Sequence, residues 1–596
     1  MRRKIELILK KAFGKGAEGA FAVFVPEQES FGHYSTNAAL KLANLGKKPP
    51  HQKLWYGDKN PLEIAGNIVA KIEKTAPRGF FEKIEIANPG FINFWLSKEI
   101  LQAELEEITK AGEKYGRTGT LKGKKIMVEF TDPNPFKEFH IGHLYGNIIG
   151  ETLCRLLEAN GATVKRANYQ GDVGMHVAKA VWGMQQRMAK QKITLSKLEK
   201  RTFEYRIKFM AESYAAGARA YEETSAAKLE IAELNKKIFA SAKEIKDLYE
   251  KGRKWSLQYF ERIYKRLGTR FDFYYFEREI GPRGWQLVKD GLKKGIFEES
   301  EGAIVFPGEK YGLHRRVFIN SQGLPVYEAK ELGLEFQKYE DFRFDVCIIV
   351  AGSEIVEYFK VLIMALKQIN PRLGEKIVYI PHGMVGLPEG KMSSRTGNVI
   401  GAENLLDEMK KRVLKIIKSQ RTRTRIATSA SPAVAEAIAV GAVKYSFLKS
   451  GVGSDIVFDL EKSLNLQGDS GPYLQYAYAR IRSILRKARN RVEGLGYRVQ
   501  GNVIHQLNGE QELRLIRKLI EFPEIIKSAA ENYAPNHLAK YLYELGALAN
   551  HYYESTPILK DDNKNRRNAR LLLVATVASV LKSGLGILGI EAPEKI

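Results

Sequence analysis

The chain contains 596 residues, 44% of them hydrophobic and 28% charged, which is the composition of a globular protein with several domains. Lysine and arginine total 95 against 69 aspartate and glutamate, and the formal net charge of +26 favours a polyanionic partner such as nucleic acid. Two scattered cysteines, Cys154 and Cys347, exclude a disulfide scaffold and offer no zinc-ligand spacing, so we predict a reducing compartment and no metal site built by the protein.

Residues 1–115 form the first predicted unit, a small α+β domain. Helical stretches flank segments that alternate like strands around a Pro-Gly turn. The helical stretches are 1–13, 61–76 and 98–111. The basic N-terminus lacks the long apolar run and the small-residue cleavage site of a signal peptide, so we predict a cytoplasmic protein.

Residues 122–400 are predicted to form an α/β domain with a Rossmann-like parallel sheet. From Lys124 the pattern reads strand, loop, helix and strand, and Gly161 is a natural end for that helix. This βαβ order predicts that ligands bind at the carboxyl ends of parallel strands. A long charged stretch at about 185–265 is interpreted as a helical insertion, after which strand signals resume in FDFYYF, AIVFPG, RRVFIN, DVCIIVAG and KIVYIPH.

The last third of the chain is helix-like almost throughout, and residues 433–596 are predicted to form an all-α bundle. Residues 401–432 carry a basic run followed by a Ser/Pro stretch and are predicted to be a linker or stem. The apolar run near the C-terminus is broken by Lys582 and by glycines, so we expect a buried helix and no membrane partner.

The sharpest local feature is His140-Ile-Gly142-His143, which lies between a predicted strand and a predicted helix. Two histidines three residues apart share a face of the first helical turn, and glycine lets a flat ring or a phosphate approach the backbone. The helix N-terminus adds unpaired N–H groups. Such a site suits a triphosphate, although histidines in a loop are more often surface or packing residues.

A second feature is the glycine-flanked cationic segment Lys391-Met-Ser393-Ser394-Arg395. A mobile loop that carries cations can close over a pyrophosphate leaving group, but alone it is equally consistent with an exposed basic loop. The two features together are far more specific. HIGH early in a nucleotide-binding sheet, with a KMS-like segment about 250 residues later, resembles class I aminoacyl-tRNA synthetases.

The flanking residues resemble the arginine enzyme of that class, the arginyl-tRNA synthetase family. The stretches that carry this resemblance are EFTDPNPFKEFHIGH from Glu129, NYQGDVG from Asn168, SGPYLQYAYAR from Ser470 and the final GILGIEAPEKI. FGHYSTNAA and NPGFINFWL resemble that family's N-terminal tRNA-contacting domain. The resemblance spans almost the whole chain in the same order.

The resemblance implies a two-step reaction in which arginine is activated with Mg²⁺–ATP to arginyl-adenylate and then transferred to tRNA(Arg). It implies catalytic roles at the phosphates for His140, His143, Lys137, Lys391 and Arg395. It implies ATP contacts for Gly142, Asn134, Gly383, Met384, Val385 and Ser393. Lys137 takes the phosphate role because Ser394 stands where the class usually has its second lysine.

The same resemblance implies an arginine site and a tRNA surface. The arginine site comprises Glu129, Asn134, Asp172, Tyr327 and Glu331. The tRNA surface comprises Tyr473, Tyr476, Arg480 and Arg482, since arginines bind phosphate and rings stack on unpaired bases. Two positions depart from the family: Glu331 stands for an aspartate, and Ile355 stands for a glutamine. The resemblance favours a monomer and an activation step that requires tRNA.

Two alternatives stay open at this point. One is another class I synthetase, such as the cysteine or the class I lysine enzyme, although a cysteine enzyme normally shows zinc-ligand cysteines. The other is a catalytically inactive paralogue that only binds RNA, against which the intact HIGH motif argues. A simple nucleotidyltransferase that shares HxGH would not need the helical last third of the chain.

Overall fold

The computed structural model describes residues 1–13, 21–45, 60–388, 401–424, 431–489 and 501–596. Its N-terminal unit is an antiparallel sheet of strand order β1-β2-β4-β3 covered by helices. The elements are α1 (Arg2–Phe13), β1 (Val23–Phe24), β2 (Tyr34–Thr36), α2 (Ala38–Leu45), α3 (Pro61–Thr75), β3 (Phe81–Ala87), β4 (Phe91–Leu96) and α4 (Lys98–Ala111). Asn60 caps α3 and Ser97 caps α4, each through its side-chain oxygen, which fixes where these two helices begin.

The centre of the molecule is a five-stranded parallel sheet of order β12-β11-β5-β6-β7. Its strands are β5 (Lys125–Phe130), β6 (Thr163–Gln170), β7 (Phe273–Phe276), β11 (Val346–Gly352) and β12 (Ile377–His382). Val128 and Ile348 point into one hydrophobic core, whereas Met127 and Ile349 point into a second core on the other face. Because both faces are buried, the strands read as continuous apolar runs. The predicted α/β fold with a parallel sheet is confirmed.

Helices connect and cover these strands. They are α5 (Ile141–Ala159), α6 (Met175–Lys190), α11 (Glu277–Lys293), α12 (Tyr327–Asp341), α13 (Val356–Ile369) and α14 (Pro371–Gly374). The helical insertion consists of α7 (Leu195–Glu199), α8 (Phe203–Glu223), α9 (Ser225–Phe239) and α10 (Lys243–Leu267). Helices α6 and α8 pack with their backbones in contact at Gly183. A Cβ added there would lie 2.0 Å from the carbonyl oxygen of Ser213, so the glycine permits this close approach.

Two of the strand signals do not extend the parallel sheet. Strands β8 (Glu298–Ser300), β9 (Ala303–Phe306) and β10 (Arg316–Ile319) form a separate antiparallel sheet of order β10-β9-β8. The turn between β8 and β9 contains Glu301 and Gly302, both at positive φ, so the chain reverses within two residues. A connection that short permits only antiparallel pairing.

The last third of the chain is a helical bundle. The short strand β13 (Val385–Gly386) precedes it and pairs with β14 (Ile456–Val457), which lies between two of its helices. The helices of the bundle are α15 (Ala402–Thr424), α16 (Pro432–Leu448), α17 (Leu460–Ser463), α18 (Gly471–Arg489), α19 (Glu510–Glu531), α20 (Pro535–Ser555) and α21 (Lys564–Ile587). The predicted linker 401–432 is a regular helix through Thr424. Leu405, Leu406 and Met409 are buried on one side of α15, which makes it a packed part of the structure. The domain boundaries themselves stay a prediction.

Helix α21 is long and apolar enough to cross a membrane by length and composition, and 61% of its most apolar window is buried inside the protein. The two cysteines are also buried, and neither forms a disulfide. Both observations agree with the sequence-based interpretation that these groups pack inside a folded chain.

Two basic side chains, Lys444 on α16 and Arg155 on α5, connect the end of the helical insertion to the end of the bundle. Lys444 Nζ donates to the carbonyl oxygens of Leu267 and Gly589, at 2.5 Å each. Arg155 donates in the same way to Gly268 and Gly586, at 3.0 and 2.9 Å. These carbonyls lie at the C-terminal ends of α10 and α21, where the helix leaves acceptors without a helical partner and carries partial negative charge.

Replacing Lys444 by methionine will lower the free energy of unfolding by about 2 kcal/mol, because one buried and one partly buried carbonyl lose their donor while the aliphatic stem is kept. Urea denaturation followed by circular dichroism measures this. Lys462→Met is the matched control, since that side chain is 87% exposed and its loss should change little. Equal stability of the two variants would contradict a role for Lys444 in this junction.

Candidate active site

The loop between β5 and α5 is held in an unusual backbone conformation. Thr131, Asp132 and Phe136 have positive φ values of 82°, 42° and 68°. Such angles are costly for residues with a Cβ and persist only where the surroundings impose them. Here the Asp132 carboxylate accepts a hydrogen bond from the Tyr169 N–H at 2.9 Å, and the buried Phe136 packs beside Tyr249. The loop is therefore pre-shaped at the carboxyl end of β5.

His140 and His143 form a reciprocal cap on α5. The Nδ1 atom of His140 accepts hydrogen bonds from the N–H groups of Gly142 and His143, at 3.1 and 3.4 Å. The Nδ1 atom of His143 accepts from the His140 N–H at 3.4 Å, and the two rings stack with centroids 3.6 Å apart. Because Nδ1 is an acceptor in both rings, the neutral tautomer carries its proton on Nε2. The pair thus offers two ring donors.

Both imidazoles are neutral at pH 7. Burial, and then the nearby Lys137 cation, lower the pKa of His140 to about 4. Burial, and then the neighbouring His140, lower the pKa of His143 well below its usual range. The neutral rings can donate hydrogen bonds to a phosphate oxygen, and the nearby Lys137 cation favours an anion at this place over a second cation.

Acid will destabilise the protein through His140. Its pKa is about 4 in the folded chain and near 6.5 when unfolded, so between these values the unfolded chain binds more protons. Lowering the pH from 7.5 to 5.0 should therefore cost about 2 kcal/mol of unfolding free energy from this residue. Urea titrations at the two pH values test this, with His140→Asn as the comparison because asparagine caps a helix but does not titrate. A pH loss of equal size in His140→Asn would contradict the prediction.

Lys137 is a cation without a carboxylate partner within the described ranges. Its Nζ lies 5.4 Å from the centroid of the Tyr214 ring, and it is half-buried. Burial, and then the Lys179 ammonium, lower the pKa of Lys137. A partly desolvated ammonium beside two neutral imidazoles is suited to an anion, and the sequence placed its phosphate role here.

The cationic segment cannot be described, since Lys391, Ser393 and Arg395 lie outside the described residues. The described chain resumes at Gly401. Gly401 pairs with His140 in an isolated antiparallel bridge, and the Ala402 N–H donates to the carbonyl of Phe139 at 2.8 Å. The chain therefore enters α15 directly beside the imidazole pair, although it is 261 residues beyond His140 by numbering.

The segment Gly383–Val385, assigned to adenine, follows β12 at the same edge of the sheet. A Cβ added to Gly383 would lie 2.1 Å from the Ser454 carbonyl oxygen, so only glycine fits there. The Met384 N–H donates to the Asp455 carboxylate at 2.7 Å, and the Met384 side chain is 51% exposed. Part of this backbone is already hydrogen-bonded to the helical half, and the adenine assignment stays a prediction.

A buried acidic pocket lies between β5 and α12. Lys338 is fully buried, and its Nζ lies 2.7 Å from Glu129 Oε2 and 2.5 Å from Glu335 Oε1. Glu331, seven residues before Lys338 on α12, is 6% exposed, and its side chain has no hydrogen bond or ion pair in the described part of the chain. Burial, and then the Glu129 carboxylate, raise the pKa of Glu331 well above its usual range. A buried carboxylate in this state is stabilised by an incoming cation.

The other assigned arginine-site residues differ in their accessibility. Tyr327 is 53% exposed at the start of α12, and Asn134 is half-buried in the β5–α5 loop with its Oδ1 against Gly171. Asp172 is 1% exposed, and its carboxylate is already occupied by internal donors. The Arg278 N–H and the Tyr249 hydroxyl donate to it at 3.1 and 3.2 Å, and Arg253 forms an ion pair with it, with Nε 2.9 Å from Oδ2. Its direct contact with a substrate stays a prediction.

Several pocket residues were missed by the sequence reasoning. Lys338 and Glu335 share a face of α12 with Glu331, at helical spacings of seven and four residues, and that spacing was the available signal. Tyr169 Oη and Glu335 Oε2 are buried without a hydrogen-bond partner in the described structure. Ile355, at the position where the family has a glutamine, is 37% exposed.

The assigned tRNA residues lie on α18. Tyr476 is 41% exposed, whereas Tyr473 is half-buried and hydrogen-bonded to Asn550 at 3.0 Å. Both arginines form surface ion pairs: Arg480 with Glu554 at 3.1 Å and Arg482 with Glu594 at 2.7 Å. Exposed pairs of this kind exchange readily for phosphate. The described surface therefore presents one free ring and two exchangeable cations.

Comparisons with known proteins identify the chain. Residues 104–460 match the family described as tRNA synthetases class I (R), catalytic domain. Residues 1–96 match the arginyl tRNA synthetase N terminal domain, and residues 474–596 match the DALR anticodon binding domain. The first match covers more than half of the chain. The parallel sheet and the loop with His140 and His143 are therefore those of a class I aminoacyl-tRNA synthetase.

Whole-chain relatives narrow the class. The chain is 32% identical over 535 residues to the arginine–tRNA ligase of Treponema denticola, with 89% of each covered. It is 32% identical over 483 residues to that of Parabacteroides distasonis, covering 79% of this chain and 80% of the relative. The chain belongs to the arginyl-tRNA synthetase family. Its fold matches the solved Thermus thermophilus arginyl-tRNA synthetase over 100% of both chains, with a TM-score of 0.80 and 24% identity.

Proposed function

We propose that the protein is an arginine–tRNA ligase that uses Mg²⁺–ATP and tRNA(Arg). A carboxylate oxygen of arginine attacks the α-phosphorus of ATP, the bond from that phosphorus to the bridging oxygen breaks, and pyrophosphate leaves. A terminal ribose hydroxyl of the tRNA then attacks the carbonyl carbon of the adenylate, and AMP leaves. The observation that carries the proposal is the unpaired, buried Glu331 carboxylate at the same sheet edge as two neutral imidazole donors.

The phosphate side of the site needs donors and cations rather than a nucleophile. The Nε2–H groups of His140 and His143 are positioned to donate to phosphoryl oxygens, and the N-terminal N–H groups of α5 add to them. Lys137 supplies the cation. Lys391, Ser393 and Arg395 are assigned to the leaving pyrophosphate by sequence position. Within the described ranges no group of three or more metal-ligating side chains occurs, so we treat Mg²⁺ as part of the ATP substrate.

The amino-acid side of the site needs negative charge and a fixed geometry. Glu129 and Glu331 approach from different elements, β5 and α12, which suits a planar guanidinium with donors on two edges. Tyr327 and Asn134 are assigned to the rest of arginine. Glu331 is one methylene longer than the aspartate usual in the family, and the pocket accommodates that length with the carboxylate still unpaired.

The helical bundle is the proposed contact for tRNA, through Tyr473, Tyr476, Arg480 and Arg482. The net charge of +26 supports a polyanionic partner of this size. We further propose a monomer in the cytoplasm. Size-exclusion chromatography with light scattering tests the first point, since a mass of twice 67.4 kDa would overturn it.

The decisive experiment is ATP–pyrophosphate exchange with arginine, lysine or cysteine, each with and without tRNA(Arg). We expect exchange with arginine alone among the three, and a strong dependence on tRNA. Exchange with no amino acid would overturn the enzymatic proposal, whereas exchange with lysine or cysteine would overturn only the choice of arginine. Full-rate exchange without tRNA would overturn only the tRNA requirement.

A further inference from the structure

Lys338 bridges the strand and the helix that form the acidic pocket. It lies on α12, seven residues beyond Glu331, and contacts Glu129, which is 209 residues earlier on β5. Its ammonium is 2.7 Å from Glu129 Oε2 and 2.5 Å from Glu335 Oε1, and none of the three side chains is more than 2% exposed. A hydrogen-bonded contact this deeply buried fixes the position of the groups it joins.

The charges in the pocket do not balance. Glu129, Glu331 and Glu335 are three buried carboxylates, and Lys338 is the only ammonium that contacts any of them in the described structure. Burial opposes the charge of Lys338, but its acidic neighbours, Cys347 and Glu129 first among them, raise its pKa well above the usual range. The lysine therefore stays charged. Its single positive charge only partly neutralises the two carboxylates that it contacts.

The third carboxylate of the pocket is that of Glu331, which Lys338 does not contact. The Glu331 side chain receives no hydrogen bond from the described residues, and the buried Tyr169 hydroxyl also has no partner among them. The groups that face Glu331 electrostatically are Glu129, Lys338, Glu335 and Asp132, and Tyr358 and Tyr169 adjoin it from α13 and β6. Five of these six are acidic or neutral groups that cannot pair with a carboxylate as a cation does. Among the groups named, Lys338 is the single cation, and it contacts Glu129 and Glu335 rather than Glu331.

We propose that Lys338 is a positioning residue for the amino-acid substrate. Its ammonium holds the Glu129 carboxylate in place and balances the charge of Glu335, so that Glu331 remains available to the guanidinium. This inference rests on the proposed function. Lys338 does not touch the substrate in this scheme. Its effect reaches arginine through Glu129, whereas Glu335 is a counter-charge that the substrate does not need.

The test separates positioning from mere compensation of buried charge. Lys338→Met alone leaves two buried carboxylates without a cation and risks misfolding. The double variant Glu335→Gln/Lys338→Met removes one acid together with the cation, so it retains a more tolerable buried charge. Glu335→Gln alone keeps Lys338 on Glu129, and Lys338→Arg keeps the charge. Each variant is assayed by ATP–pyrophosphate exchange with saturating tRNA, over a range of arginine and ATP concentrations and of pH.

We expect the double variant to raise the KM for arginine at least about tenfold with the KM for ATP within about twofold, as for loss of one oriented charge contact. The acid limb of kcat/KM for arginine should move to higher pH, since Lys338 is the cation that lowers the pKa of the Glu331 carboxyl and its loss lets that pKa rise further. The KM for arginine of Glu335→Gln should stay within about threefold of the parent, and Lys338→Arg should retain most of the arginine affinity that the double variant loses.

Two results would overturn the inference. The first is a double variant with the parent KM for arginine and the parent acid limb, because Lys338 would then only compensate Glu335. The second is a Glu335→Gln variant whose KM for arginine rises as much as that of the double variant. Failure of the proposed function looks different: the unmodified protein itself would show no arginine-dependent exchange.

Discussion

Replacing Glu331 by glutamine will raise the KM for arginine in ATP–pyrophosphate exchange by about 100-fold, with a KM for ATP close to that of the parent protein. In the proposed mechanism the amide keeps the shape of the side chain but removes the charge that meets the guanidinium, and removing one partner of a buried charge pair costs about 2–5 kcal/mol. Glutamine should not unfold the protein, because Glu331 has no partner among the described residues to lose.

Two controls sharpen this prediction. Glu331→Asp keeps the charge and shortens the side chain, so its effect should stay within about tenfold. Glu340→Gln lies on the same helix with its side chain 49% exposed and should leave both KM values unchanged. An unaltered KM for arginine in Glu331→Gln would show that the substrate's cationic group binds elsewhere.

Replacing Lys137 by methionine will lower the turnover number of exchange by about 100-fold, while the KM for arginine changes by less than about threefold. In the proposed mechanism the lysine faces the developing charge on the phosphates and not the amino acid, and loss of one such stabilising contact typically costs about 2.7–4 kcal/mol in the transition state. Methionine keeps the aliphatic stem and loses only the weak contact of the ammonium with the Tyr214 ring, so thermal stability should be largely preserved.

Lys293→Met is the matched control for this variant, because Lys293 is 77% exposed on α11 and should tolerate the change. Rapid-quench measurement of adenylate formation distinguishes a slower chemical step from slower product release. Parent turnover in Lys137→Met would transfer the phosphate role to the cationic segment 391–395, which the sequence also named.

The sequence predicted the parts of the fold that local patterns encode. The βαβ order, the loop with His140 and His143 and the start of α5 follow from strand and helix periodicities within a stretch of about 50 residues. The histidine cap was also foreseeable in part, because the two rings are three residues apart. Their reciprocal hydrogen bonds were not, since asparagine and serine are the usual capping residues and histidine is not among them.

The remaining parts depend on contacts between distant segments. The ion pair between Lys338 and Glu129 joins residues 209 positions apart, and nothing local in either stretch indicates it. In the same way, α15 was interpreted as a linker because its basic residues dominate the composition, whereas Leu405 and Met409 recur at a helical spacing that signals a buried face. Burial of polar and charged groups is a tertiary property, and a single sequence supplies few restraints on it.

The cations at the junction have a consequence for the way the protein is made. Arg155 is synthesised early, yet the carbonyl that it binds in α21 belongs to a residue 431 positions later. Domains emerge from the ribosome in order and begin to fold as they emerge. Until the end of the bundle has been translated, Arg155 is therefore solvated and lacks this partner. Ribosome-bound chains halted before Gly586 should accordingly be cut by protease at the α10 end more readily than released ones.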